Sequence, residues 1–159
     1  MVKKGIKKFE FTSDVELRGN KLREFIIAGK ATLTILNTVT KNRFTINIKK
    51  HKNDDIFFVS VLTGSDNMGS YSFLGTYFPT SKRFIHSKKS SISNTAMSAK
   101  TVDWFFKKYI DNQNSFGSVK VYHSGECGRC GRKLTTPKSI TDGYGPECIK
   151  LNRKGKINL

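Results

Sequence analysis

ATLTILNTVTKNRFTINI, residues 31–48, alternates apolar and polar side chains on both sides of a polar break. Ala31, Leu33 and Ile35 fall on one face of an extended chain, and Phe44, Ile46 and Ile48 do the same on the second arm. A period of two marks a strand with one face in a core, whereas a helix would repeat every three to four residues. The break TVTKN at 38–42 reads as the turn of a hairpin.

Working outward, IFFVSVL at 56–62 is more continuously apolar and reads as a central strand. YSFLGTYF at 71–78 follows as a fourth strand, RFIH at 83–86 as a fifth, and VKVYH at 119–123 as a short strand leading into a cysteine-rich end. Two segments carry helical signals. NKLREFIIAG at 20–29 has Asn20 as a cap, Leu22, Phe25 and Ile26 on one face, and Gly29 as a stop. AKTVDWFFKKYI at 99–110 places Val102, Phe105, Phe106 and Tyr109 in one stripe, with Ser98 as its cap and Lys107 and Lys108 at its dipole-favoured end. Residues 1–12 form a basic lead-in in which Phe9 and Phe11 alternate like a strand. KKSSISNTAMS at 88–98 reads as a linker or a loop over the sheet. There is no internal repeat.

The chain has 159 residues, enough for one compact domain or a medium domain with a small appendage. Its 12 Phe and 5 Tyr supply a core although only 36% of residues are hydrophobic, so the chain does not read as disordered. Net charge is +17, from 29 basic and 12 acidic residues. A phosphate backbone is the commonest partner for such charge, because each contact releases condensed counterions. An acidic protein surface is the competing partner, and a generic basic surface is the third reading. No apolar run reaches the ~18 residues of a membrane span, and no apolar signal core follows the basic MVKKGIKKF. These points predict a cytoplasmic protein. The Gly64–Gly69 loop lacks the Lys-Ser/Thr ending of a nucleotide-binding P-loop.

Three cysteines cannot form a complete disulfide framework, and their spacing points to metal instead. The motif is His123-x3-Cys127-x2-Cys130-x17-Cys148. A C-x2-C pair with Gly128 and Gly131 suits a knuckle whose two sulfurs face one tetrahedral ion. Gly145 and Pro146 open a helix whose first turn holds Cys148, where the dipole favours a thiolate. Spacing makes His123 the fourth ligand, with Glu147, Asp142, a water or a partner's residue as rivals. His51 and His86 read as surface or sheet histidines. The expected cofactor is one structural Zn2+. Four protein ligands would close the coordination, and the H-x-E and P-C-x-x-C segments of zinc deaminases are absent.

The expected fold class is therefore α+β: an antiparallel sheet with two helices plus a small C-terminal zinc module of the knuckle or treble-clef type. The organisation reads as 1–115 for the α+β domain and 116–159 for the module with its basic tail. Arg129, Arg132, Lys133, Lys138, Lys150, Arg153, Lys154 and Lys156 cluster in that module. With Tyr122 and Tyr144 as stackers, they make it a candidate nucleic-acid surface, DNA or RNA. Phe57, Tyr71, Phe73 and Tyr77 are further stacking candidates, although strand aromatics usually belong to the core. Asp54, Asp55 and Asp66 are the carboxylates available to a nuclease, but they read as solvated loop residues without a nucleophile–base pair.

Residues 121–149 resemble a small zinc-binding domain of unknown function that is widespread in bacteriophage and bacterial proteins. The shared features are the His ahead of CGRCGR, the Leu-Thr-x-Pro-x-Ser-Ile segment and Gly-x-Gly-Pro-x-Cys. AGKATLTI, TKNRFTINI, FFVSVLTGSDNMGSYSFLGTY and the Trp-Phe-Phe helix are similar to the region that precedes it in many such proteins, which extends the likeness over roughly residues 20–150. The resemblance implies His123 as a ligand and a phage association, and the host-cell cytoplasm if the protein is phage-encoded. It implies no known activity. Two functions follow as expectations: a zinc-containing nucleic-acid-binding protein, or an adaptor or inhibitor that binds an acidic host or phage protein.

Overall fold

The computed structural model describes residues 15–63 and 70–157, with side chains through Leu151. The lead-in over 1–12, the Gly64–Gly69 loop with Asp66, and the side chains of Arg153, Lys154 and Lys156 lie outside the described residues.

The alternating arms form a hairpin of β1 (Lys30–Asn37) and β2 (Arg43–Lys50), with Leu33 opposite Ile46 and Ile35 opposite Phe44. Asn37 shapes the turn: its Oδ1 accepts the N–H groups of Val39 at 2.9 Å and Thr40 at 3.0 Å. β3 (Phe57–Leu62), β4 (Tyr71–Phe78) and β5 (Arg83–His86) add on one side. β6 (Val119–His123) returns to the other side of β1, with Ile35 opposite Val121 and Leu33 opposite His123. The result is a six-stranded antiparallel sheet of order β5-β4-β3-β2-β1-β6, so the fold is α+β as the periodicity indicates. Leu17 donates its N–H to Val121 O at 2.7 Å, so the segment before the first helix lies along the β6 edge.

Leu33, Ile35, Ile46, Ile48, Phe57, Val59 and Val61 face one side and are buried with the helical residues. α1 (Gly19–Ile26) supplies Leu22, Phe25 and Ile26. It begins ahead of Asn20, so Arg18 holds the cap position, and it stops before Gly29. α2 (Met97–Trp104) follows Ala96, which leaves Ser98 inside the helix and not at its cap. From Phe105 to Tyr109 the helix widens into a π turn, closed by Ile110 N–H to Phe105 O at 3.2 Å. That turn buries Phe105, Phe106, Tyr109 and Ile110 together. Phe106 stacks between Tyr77 at 4.5 Å and Phe84 at 5.2 Å, locking the helix onto β4 and β5.

A bulge in β4 decides what reaches the second face. Val59 pairs with Gly75 but Ser60 pairs with Phe73, so one extra residue sits in β4. Leu74 is fully buried, and a Cβ on Gly75 would lie 2.3 Å from Ile85 O and 2.8 Å from the Phe84 ring. The second face is closed at its centre, where Thr34 and Asn47 are buried and the Thr34 and Thr45 hydroxyls share a 2.7 Å hydrogen bond. Toward β3–β5, Phe58, Phe73 and Tyr71 are half-buried and Ile85 is exposed.

The Ser-rich stretch is a loop over the β4–β5 end of the sheet. Ser90 Oγ donates to Phe73 O at 2.7 Å, His86 Nε2 meets Ile92 O at 2.8 Å, and Ile92 packs on the core. Among the described residues no helix is long and apolar enough to cross a membrane.

Candidate metal centre

β6 delivers the chain into a knuckle. After His123 the chain reverses through Gly125, whose φ of 85° is the left-handed conformation. Leu134 N–H bonds Gly125 O at 2.8 Å, Cys127 N–H bonds Arg132 O at 2.8 Å, and Gly131 N–H bonds Cys127 O at 2.8 Å. The tight turn this makes holds Cys127 and Cys130. α3 (Pro137–Asp142) follows, capped by Thr136 Oγ1, which accepts Ser139 N–H at 3.2 Å. Gly143, at φ 83°, ends it. α4 (Pro146–Ile157) then starts at the expected proline, which puts Cys148 in its first turn.

The three sulfurs come together: Cys127, Cys130 and Cys148 offer Sγ atoms that lie within 4.8 Å of one another. Among the described residues this is the one group of three or more His, Cys, Asp or Glu donors that close. Cys127 is buried, Cys148 is half-buried and Cys130 is exposed. Burial works against ionising Cys127. The backbone N–H groups of Cys130, Gly145 and Arg129 and the Cys130 side chain outweigh it, so its thiol titrates below the ordinary cysteine range. Two of those bonds reach Cys127 Sγ from Arg129 at 3.4 Å and Cys130 at 3.5 Å. Burial, hydrogen bonds to Cys127 and Cys130, and the charge of those two thiols push Cys148 up to about 12. Three thiols this close cannot all ionise unless a cation sits among them. The donor set therefore fits a thiophilic metal ion.

The knuckle is sewn into the sheet. Lys30 N–H bonds Gly128 O at 2.8 Å, and Gly128 N–H bonds Gly143 O at 3.0 Å. Phe25 of α1 is fully buried beneath it, with the rings of His123 and Tyr144 each 5.7 Å away. A Cβ on Gly128 would lie 2.5 Å from the Phe25 ring, so only glycine lets knuckle and helix approach this closely.

His123, expected as the fourth ligand, is not brought to the sulfurs. It is fully buried. Its Nδ1 accepts Gly125 N–H at 3.0 Å, and its Nε2 donates to Ile140 O at 2.7 Å. Both ring nitrogens thus tie β6 to the knuckle entrance and to α3. Burial, with a smaller contribution from Lys21, holds its pKa below 6.5, although the bond to Ile140 pulls the other way. Of the rival ligands, Asp142 pairs with Lys138 at 3.3 Å, and Glu147 is exposed outside the sulfur group.

The basic candidates Arg129, Arg132, Lys133, Lys138 and Lys150 are all exposed. The aromatic candidates divide. Tyr122 and Tyr144 are only 7% and 5% exposed, and Phe57 and Tyr77 are core residues, so none of the four presents a ring face for stacking. Tyr144 instead packs beside Phe25, with ring centroids 5.7 Å apart, and its hydroxyl is buried without a hydrogen-bond partner. Tyr71 and Phe73 do reach the second face, and Phe58 joins them. Phe58 follows Phe57 by one residue, so alternation alone assigns it to the face opposite the core. Asp54 pairs with His51 at 3.4 Å in an exposed turn.

Residues 120–152, from β6 into α4 and including all three cysteines, match the model of a family of unknown function, DUF6011. No curated protein and no solved structure matches the chain. The segment is thus similar to that family, and the cysteine cluster within it is a feature of the structure.

Proposed function

We propose that this is a zinc-braced nucleic-acid-binding protein of a bacteriophage setting, and that a single strand lies across the β3–β5 part of the second sheet face toward the knuckle. The zinc is structural: it fixes a segment too small to build its own core. The observation that carries the reading is one cross-strand row. Lys30 faces Lys49, Lys49 faces Phe58, Phe58 faces Thr76, and Thr76 faces Ile85. Two lysines directly opposite one another repel unless an anion neutralises them. Beside them Phe58 meets Phe73 edge-on at 6.1 Å and His51 at 5.5 Å, apart from the buried core. Lys30 also lies against the knuckle, its Cδ 3.5 Å from where a Gly131 Cβ would stand. Exposed Arg129, Arg132 and Lys133 therefore adjoin the row. Cations beside half-exposed aromatic rings suit phosphates and bases of a single strand.

The test is fluorescence anisotropy of the zinc-loaded protein with labelled single-stranded and duplex DNA and RNA across a salt series. Micromolar or tighter binding at physiological salt is expected. Reversing Arg129, Arg132 and Lys133 should flatten the salt slope, by roughly 0.7 per lost single-strand phosphate contact. Phe58→Ala should cost ~1–3 kcal/mol, the range for one lost base–aromatic stack. Loss of binding to every probe near physiological salt would sink this reading. It would favour an acidic host or phage protein as partner, sought by stoichiometric complex formation.

A further inference from the structure

We infer that the metal is held by three protein thiolates, Cys127, Cys130 and Cys148, and that its fourth ligand is an exchangeable solvent oxygen, with His123 serving as a buried strut. The inference rests on the metal reading of the cysteine cluster and is independent of the nucleic-acid reading.

Three observations carry it. First, a histidine ligand needs a free ring nitrogen lone pair, and His123 has none to offer. Nδ1 spends its lone pair on Gly125 N–H, and Nε2 carries the proton given to Ile140 O. A ring with no exposed surface, stacked on Phe25 at 5.7 Å, cannot turn toward the sulfurs without giving up both bonds. Second, no other carboxylate or imidazole among the described residues joins the sulfur group, and Asp142 is committed to Lys138. Third, the cluster is graded from inside to outside. Cys127 is buried and Cys130 exposed, so the side of the ion away from Cys127 faces water. Three thiolates and one solvent oxygen complete a tetrahedron of the kind that keeps an exchangeable corner. That corner would accept a small monodentate donor such as imidazole or azide.

The full chain loaded with zinc, and separately with cobalt, tests this. X-ray absorption of the zinc form should give three sulfurs and one oxygen, without the outer-shell scattering of an imidazole. In the cobalt form, imidazole or azide should shift the visible d–d bands saturably. The His123→Gln protein should bind one metal per chain with the same absorption spectrum, even if it is less stable. Imidazole scattering in the unaltered protein, lost in His123→Gln, would overturn the inference. A cobalt spectrum indifferent to added imidazole and azide would also overturn it, because the fourth ligand would then be a fixed protein group. If the unaltered protein takes up no metal at all, the metal reading itself fails.

Discussion

Gly128→Ala is the sharpest probe of how the cysteine knuckle is joined to the fold. The added methyl would sit 2.5, 2.7 and 3.0 Å from three atoms of the Phe25 ring. The ring has little room to retreat, since it is fully buried with the rings of His123 and Tyr144 each 5.7 Å away. The backbone φ at Gly128 is not in the left-handed region, so the cost is one of space. Overpacking of this kind costs ~1–3 kcal/mol. For a chain of this size that lowers the melting temperature by about 2–12 °C. Phe25→Ala alone should cost ~3–5 kcal/mol, because it empties the floor under the knuckle. In the double variant the clashing ring is gone, so Gly128→Ala should then be nearly neutral. The cycle should show a coupling of ~1–3 kcal/mol. Denaturant unfolding of the zinc-saturated proteins measures it, and chelator competition should show weaker metal retention in Gly128→Ala. Strict additivity of the two substitutions would refute the claim that α1 and the knuckle are packed as one body.

Further outcomes follow from the same contacts. His123 is buried neutral, so below pH 6.5 the unfolded chain binds a proton that the folded chain refuses. Stability should therefore fall as pH drops from 6.5 toward the folded pKa, by up to ~1.4 kcal/mol per pH unit. Urea midpoints at pH 7.5 and 5.5 should show this for the zinc-loaded protein, and a smaller difference in His123→Gln. Gly75→Ala should cost at least ~1–3 kcal/mol, because its methyl meets a main-chain oxygen at 2.3 Å, which thermal unfolding would register. Removing the metal with a chelator should lower the melting temperature and expose the Cys127 thiol to alkylation, whereas an unchanged melting curve would deny the metal a role in stability.

The sheet was legible because one-sided burial writes a period of two, and the six strands among the described residues lie where that period or an apolar run puts them. The knuckle was legible from spacing, and so was the proline that opens α4. What periodicity cannot report is a contact between distant segments. Nothing in NKLREFIIAG announces that Phe25 will lie under Gly128, since that depends on how β6 returns to β1. The same limit applies to His123. Its spacing suits a ligand, yet its nitrogens are claimed by backbone groups that only the folded turn and α3 bring near. Tyr122 and Tyr144 were misplaced for a related reason: a tyrosine's exposure is decided by its neighbours and not by its side chain.

The return of β6 also sets an order of events on the ribosome. Thr32 and Ser124 share a hydrogen bond although they stand 92 residues apart. Until that late strand emerges, the nascent chain has a long β1 whose outer edge is bare, and such edges recruit other chains. High contact order slows closure further. The cysteine cluster follows β6 closely in the sequence, so a bound ion would clasp that strand in place once Cys148 has emerged. Scarcity of metal during translation would then appear as aggregation of new chains, before any loss among molecules already folded.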